Sequence, residues 1–391
     1  MDSNSIEIAP DPPTPAYLTI PFNDESVLPR RCLSVAELLR YEFLNPFWAP
    51  RNGTSIQVWS DSPPHDVCAT LLLGCTVPQW GTVRQLLLEV RQLASTPQSF
   101  SRVAVLSCET VLPKRLPIWV LSFWDRLSEA YDTCLSWRRC LDWANALCTR
   151  RPVNQHLASE LYSLFRRVCW YGYLGGKRRD RHVNDIFDLL SNNELDSGQI
   201  GDLLELIEQR LEDASDSHYL IAPPDLSTLI LYSHRDHAKR TYRKQPCQQL
   251  VEEELVQRRR FAVASIAWIS VGGRGHWISY IADPITSTIF HGDSLGLRIP
   301  EDLRDALQWW LCDLRERMGE PPKLPCLKPI SVTGQEDGFS CGILSTNSLL
   351  HHLLPYKFPL VSRDAISIAT YRIGHTIDIL KLGIKPVRAF S

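Results

Sequence analysis

No apolar run in this sequence reaches the ~18–20 residues of a membrane-spanning helix; the best candidate, Phe261 to Val271, is too short and reads as a buried strand. A secretory signal is missing too. Residues 1–30 place Asp2, Glu7, Asp11 and several prolines before any apolar segment, whereas a signal needs a basic start followed by ~7–15 apolar residues. Net charge is only -2, from 42 Lys+Arg against 44 Asp+Glu, so no global basic field argues for nucleic acid. Twelve cysteines in 391 residues fall well short of the ~8–10 % of a disulfide scaffold. No Cys-x-x-Cys pair occurs, and Cys134, Cys140 and Cys148 are separated by five and seven residues, which is not zinc-ligand spacing. His234-x-x-His237 with Cys247 is the nearest approach to a ligand cluster; it lacks a fourth ligand and reads as a polar loop. These absences point to an intracellular protein of the nucleus or cytoplasm with reduced thiols, most of them small buried hydrophobes.

An ordinary globular composition is what remains, 44% hydrophobic and 22% charged, in a chain long enough for two domains. Residues 1–30 read as a flexible Pro-rich tail. Residues 31–180 read as a folded N-terminal α/β region of unknown role. Within it, Val35, Leu38, Leu39 and Phe43 mark a helix, as does Val83–Leu93. Val67–Leu73 and Val103–Ser107 read as strands, and Leu116 to Trp170 as two or three helices. Gly175-Gly176 and the run Lys177-Arg178-Arg179-Asp180-Arg181 mark a boundary near 180. A solvated linker explains that run better than a nuclear localisation signal.

Residues 181–391 carry the chemistry. Leu203, Leu204, Ile207 and Leu211 form an amphipathic helix, and the basic stretch His234–Arg260 reads as a solvated helix or loop. Phe261–Ser270, His276–Ala282 and Ser287–Asp293 read as strands. Helices are expected over Glu301–Arg317, from Cys341 to about Leu354, and over Arg363–Leu382. Strands flanked by helices in this way imply an α+β domain. If the last two strands pair around Asp283-Pro284-Ile285-Thr286 so that Ala282 faces Ser287, then His276 faces Asp293 on the same surface. A carboxylate beside an imidazole is the arrangement that orients a catalytic histidine.

The segment Gly334-Gln335-Glu336-Asp337-Gly338-Phe339-Ser340-Cys341-Gly342 supplies the nucleophile candidate. Cys341 would open a helix, whose positive end favours a thiolate. Gln335, six residues upstream, is placed to donate its amide to an oxyanion. Taken singly, a histidine beside a tryptophan or a cysteine at a helix start is more often structural. Their joint order and spacing carries the reading.

His276-Trp277, Asp293-Ser294 and Gln335-x5-Cys341-Gly342 resemble the motif of the ubiquitin-like-protein-specific (Ulp/sentrin-type) cysteine proteases. The resemblance extends over roughly 185–383, with Leu195 and Ile200 near the start of an expected helix and Arg363–Leu382 as the closing one. It implies a papain-like fold with a small mixed or antiparallel sheet flanked by helices, behind a separate N-terminal region. It also implies roles: Cys341 as nucleophile, His276 as general acid and base, Asp293 as orienting carboxylate and Gln335 as oxyanion donor. Trp277 and Gly342 would bind the narrow Gly-Gly tail of a modifier, SUMO being the first expectation and ubiquitin or Nedd8 the alternatives. No metal or organic cofactor is implied. One departure stands out: Glu194 occupies the place of a tunnel tryptophan.

Overall fold

The computed structural model describes residues 20, 28–43, 56–57, 77, 80–94, 105–108, 114–150, 154–175, 181–236 and 246–384. The strand expected at Val67–Leu73, most of the Pro-rich tail and the boundary near 180 lie outside them. The chain forms two compact units that interleave along the sequence. One comprises Met1–Arg139, Phe165–Tyr173 and His182–Asn184; the other comprises Cys140–Leu164, Leu174–Arg181 and Asp185–Ser391.

The first unit holds the short helix α1 (Val35–Leu38), helix α2 (Trp80–Ala94) and an antiparallel sheet of β1 (Ile56–Gln57), β2 (Val105–Cys108) and β3 (Lys114–Pro117). Ser34 starts α1 through a capping box with Glu37, each side chain accepting the other's backbone N–H. On α2 the buried residues Val83, Leu86, Leu87 and Val90 follow the i, i+3, i+4, i+7 rule and pack into a core with Phe123 and Trp124. The helices expected between Leu116 and Trp170 are α3 (Val120–Arg150), whose later part belongs to the second unit, and α4 (Gln155–Phe165) in that unit.

The second unit is α+β. Its sheet contains β4 (Tyr219–Ile221), β5 (Ala262–Val271), β6 (Arg274–Asp283), β7 (Thr288–Gly292) and β8 (Cys326–Pro329) in that spatial order. The three central strands run antiparallel, while β4 and β8 join the two edges in parallel. Gly272 and Gly273, with φ of 58° and 80°, make the two-residue turn between β5 and β6. Positive φ at both positions is what this tight hairpin demands.

Between β6 and β7 the observed register differs from the expected one. Ala282 pairs with Ile289, not Ser287, because the loop is Pro284 to Ser287 and Ser287 adopts a positive φ of 55°. Asp283 braces this loop by accepting the Thr286 backbone N–H at 3.0 Å. The shift is two residues, so the pleat keeps its facing.

Helices α6 (Asp225–Asp236), α7 (Pro246–Val256) and α8 (Glu301–Arg317) cover one face of the sheet. Leu226, Ile230, Leu255, Leu307 and Trp310 pack there against Ala267, Ile278 and Tyr280. Each such aliphatic side chain contributes ~1.5–3 kcal/mol on leaving water. α7 corrects the solvated reading of His234–Arg260: Gln248, Val251, Glu252 and Leu255 are buried on it. The described arginines there bond within the chain, Arg258 with Glu320, Arg259 with Glu254 and Arg260 with the Ser217 carbonyl. Arg181 is likewise buried in an ion pair with Asp202 rather than part of a solvated run.

The opposite face carries α9 (Cys341–Leu353), buried continuously from Cys341 to Leu350. Small polar residues let it approach the sheet closely. Ser345 Oγ donates to the Trp277 carbonyl at 2.7 Å, and a Cβ on Gly292 would lie 2.9 Å from Ser348 Oγ. Helices α5 (Ser197–Asp213) and α10 (Ala365–Ile384) complete the unit, with Asp196 and Gln199 forming a second capping box.

Candidate active site

Three separate elements bring the expected residues together. β6 presents His276 and Trp277, the segment leaving β7 presents Asp293, and the first turn of α9 presents Cys341 and Gly342. His276 Nε2 lies 2.9 Å from Asp293 Oδ1, with both side chains buried. The β6–β7 ladder ends at Ser279↔Gly292, so Asp293 reaches His276 from just beyond the strand and not as a ladder partner. Asp293 Oδ1 also accepts the Leu295 backbone N–H at 2.7 Å, which fixes the carboxylate.

Cys341 acts on the His276 ring as well, favouring its protonated form. Since Nε2 is engaged by Asp293, Nδ1 is the ring nitrogen left for the sulfur. Burial works against the imidazolium, yet the hydrogen bond to Asp293 and the charges of Asp293 and Cys341 outweigh it, raising the His276 pKa from 6.5 to about 9. A thiolate at Cys341 would face this cation and the partial positive charge of the α9 N-terminus.

The loop leading into α9 is shaped by Asp337, a residue that sequence reasoning did not single out. Its Oδ1 accepts the backbone N–H groups of Phe339 at 2.9 Å and Ser340 at 2.8 Å, and its Oδ2 accepts Ser340 Oγ at 2.6 Å. Asp-Gly ahead of a helix was the available signal. Gln335 lies in the same loop. Its Oε1 accepts Ser294 Oγ at 3.0 Å, and Nε2 donates to the Asp337 carbonyl at 2.7 Å. The other Nε2 contact, to Asp337 Oδ1, is 3.4 Å, so one amide proton is weakly held.

Trp277 is buried, its indole N–H donating to the Leu195 carbonyl at 2.7 Å. A Cβ on Gly342 would sit 2.9 Å from Ile200 Cδ1 and 3.3 Å from both Leu195 and Trp277. Gly342 therefore closes the floor between α5 and β6, with Glu194 exposed at its margin. Trp268, 44% exposed, packs edge-on against Trp277 with centroids 4.7 Å apart and lies across Gly275.

The remaining cysteines differ in part from expectation. Of the nine described, Cys134, Cys140, Cys148 and Cys341 are buried, but Cys32, Cys312 and Cys326 are exposed. Burial pushes the Cys140 thiol up to about 12, with the nearby Asp188 charge adding to the effect, so that thiol is inert. Among the described residues no cluster of His, Cys, Asp or Glu could hold a metal, and no helix is long and apolar enough to cross a membrane. His237, in the weak ligand cluster, lies outside them.

No family model and no curated protein matches the chain. Solved structures similar to it include the SUMO protease Ulp1 with its catalytic cysteine oxidised to a sulfenic acid (15% identity, 60% of this chain, 96% of that chain, TM-score 0.41). Another is the C-terminal Ulp1 protease domain in complex with Smt3, the yeast ortholog of SUMO (17%, 59%, 96%, 0.41). A third is the Chlamydia abortus effector protein ChlaDUB (18%, 50%, 95%, 0.31).

Proposed function

We propose that the chain is a cysteine peptidase that hydrolyses the peptide or isopeptide bond after the Gly-Gly end of a ubiquitin-like modifier, with residues 181–391 as its catalytic domain. The observation that carries this reading is the buried Cys341–His276–Asp293 relay at the start of α9. The motif His276-Trp277, Asp293-Ser294, Gln335-x5-Cys341-Gly342 supports the substrate class.

In this mechanism the Cys341 thiolate attacks the scissile carbonyl carbon, forming a C–S bond and placing negative charge on the carbonyl oxygen. Gln335 Nε2 and the backbone N–H groups at the start of α9 stabilise that oxyanion. His276 delivers its Nδ1 proton to the leaving amine as the C–N bond breaks, leaving a thioester on Cys341. The same nitrogen then takes a proton from water, whose oxygen attacks the thioester and releases the modifier carboxylate and the thiolate. Asp293 stays ionised throughout and holds the ring.

SUMO is the proposed modifier. Glu194, standing where the resembled family has tryptophan, favours testing ubiquitin and Nedd8 beside it. Fluorogenic C-terminal amides of the three modifiers decide the matter. Release by the wild-type chain that is lost in Cys341→Ala supports the reading, and release unaffected by that substitution overturns it.

A further inference from the structure

Helix α10 buries an arginine inside its apolar stripe. Ile368, Ala369, Arg372, Ile373 and Thr376 all face the interior, and Arg372 is 1% exposed. A buried guanidinium is costly unless its donors find acceptors. Here Nη1 donates to the carbonyls of Asp188, at 3.2 Å, and Ser191; Nη2 donates to those of Asn193, at 2.6 Å, and Phe339, at 3.5 Å. All four acceptors are neutral carbonyls. The buried charge is thus hydrogen-bonded without being paired to a carboxylate.

Those carbonyls belong to two segments that meet at the candidate site. Asp188 to Asn193 leads into Leu195, whose carbonyl holds the Trp277 indole. Phe339 lies two residues ahead of Cys341 in the loop organised by Asp337. The guanidinium also interacts through space with Asp337, Asp188 and Cys341; burial lowers the Arg372 pKa to about 10 and those three charges work against that fall, so it stays a cation at neutral pH.

We propose that Arg372 is a positioning residue for the nucleophile: its fork ties the loop that delivers Cys341 to the 188–193 segment. The inference rests on the assignment of Cys341 as nucleophile. His276, from β6 with Asp293 behind it, and Arg372, from α10, are the two cations that interact with Cys341, while Asp337 and Asp188 face the Arg372 guanidinium.

The test is kcat and KM on a fluorogenic modifier amide together with the rate of Cys341 alkylation by iodoacetamide in the full chain at one fixed pH, read by peptide mass spectrometry, with exposed Cys326 as internal reference. Arg372→Lys keeps a cation and loses the fork: kcat should fall about tenfold at constant KM, and Cys341 alkylation should slow relative to Cys326. Arg372→Met loses both and should fall at least as far. A Lys variant with kcat and Cys341 alkylation unchanged overturns the positioning role, and it decides the question whether or not the Met variant folds. Alkylation needs no modifier, so a failure of the substrate assignment shows separately, as wild-type Cys341 reactivity without hydrolysis.

Discussion

Asp293→Asn isolates the charge of the relay with little change of shape. The amide oxygen can still accept from the Leu295 N–H and from His276 Nε2, contacts now 2.7 and 2.9 Å long. Burial opposes the His276 imidazolium, while the Asp293 hydrogen bond and the charges of Asp293 and Cys341 raise its pKa from 6.5 to about 9. That shift is worth about 3 kcal/mol, divided between Asp293 and Cys341. With the carboxylate charge gone, only Cys341 is left to oppose burial, and the value should fall below 9 toward 6.5. At pH 7.5 an imidazolium with a pKa of about 9 is ~97 % formed and one with a pKa of 6.5 is ~9 % formed, so loss of the acid alone costs up to about tenfold in rate. The assay is kcat/KM against pH on a fluorogenic modifier amide. Its alkaline limb should fall near 9 in wild type and at lower pH in the variant. A variant limb that stays near 9 would refute the attribution to Asp293.

The same shift predicts a stability profile. A histidine raised on folding contributes stability that is fully present below 6.5 and is lost as pH rises through about 9. Wild type should therefore lose up to about 3 kcal/mol from this group between pH 6 and 9.5, and Asp293→Asn much less, as urea denaturation at the two pH values will read.

Three further substitutions probe the surrounding shell. Gln335→Ala should lower kcat about 10²–10³-fold with KM little changed; an unchanged kcat in steady-state assays removes it from the oxyanion site. Asp337→Ala strips the acceptor from two backbone N–H groups and the Ser340 hydroxyl. It should cost about 1–2 kcal/mol in chemical denaturation, and a loss below a few tenths contradicts its bracing role. Gly342→Ala places a methyl 2.9 Å from Ile200 Cδ1. It should lower stability by about 1–2 kcal/mol and weaken modifier binding, seen as a lower Tm and a higher KM.

Legibility in the sequence followed the strength of local pattern. Long periodic segments were readable: Glu301–Arg317 is a helix to the residue, and Cys341 does open one. The edge strands Tyr219–Ile221 and Cys326–Pro329 were not, because three or four residues give no alternation and their pairing is set by distant partners. The expected hairpin register was two residues out, since nothing local announces the positive φ of Ser287. His276 and Asp293 still meet because an even slip preserves facing, so the pairing was anticipated through a register that does not occur. Arg372 left a trace, a lone charge within a core stripe, but its acceptors are backbone carbonyls up to 184 residues away. No spacing rule reaches them.

Intact mass spectrometry after incubation with C-terminal vinyl-sulfone derivatives of SUMO, ubiquitin and Nedd8 reads the nucleophile itself. One covalent adduct is expected, with the SUMO probe preferred, mapping to Cys341 and abolished in Cys341→Ala. No adduct with any of the three, or an equal adduct on Cys341→Ala, would show that Cys341 is not the nucleophile of a modifier peptidase.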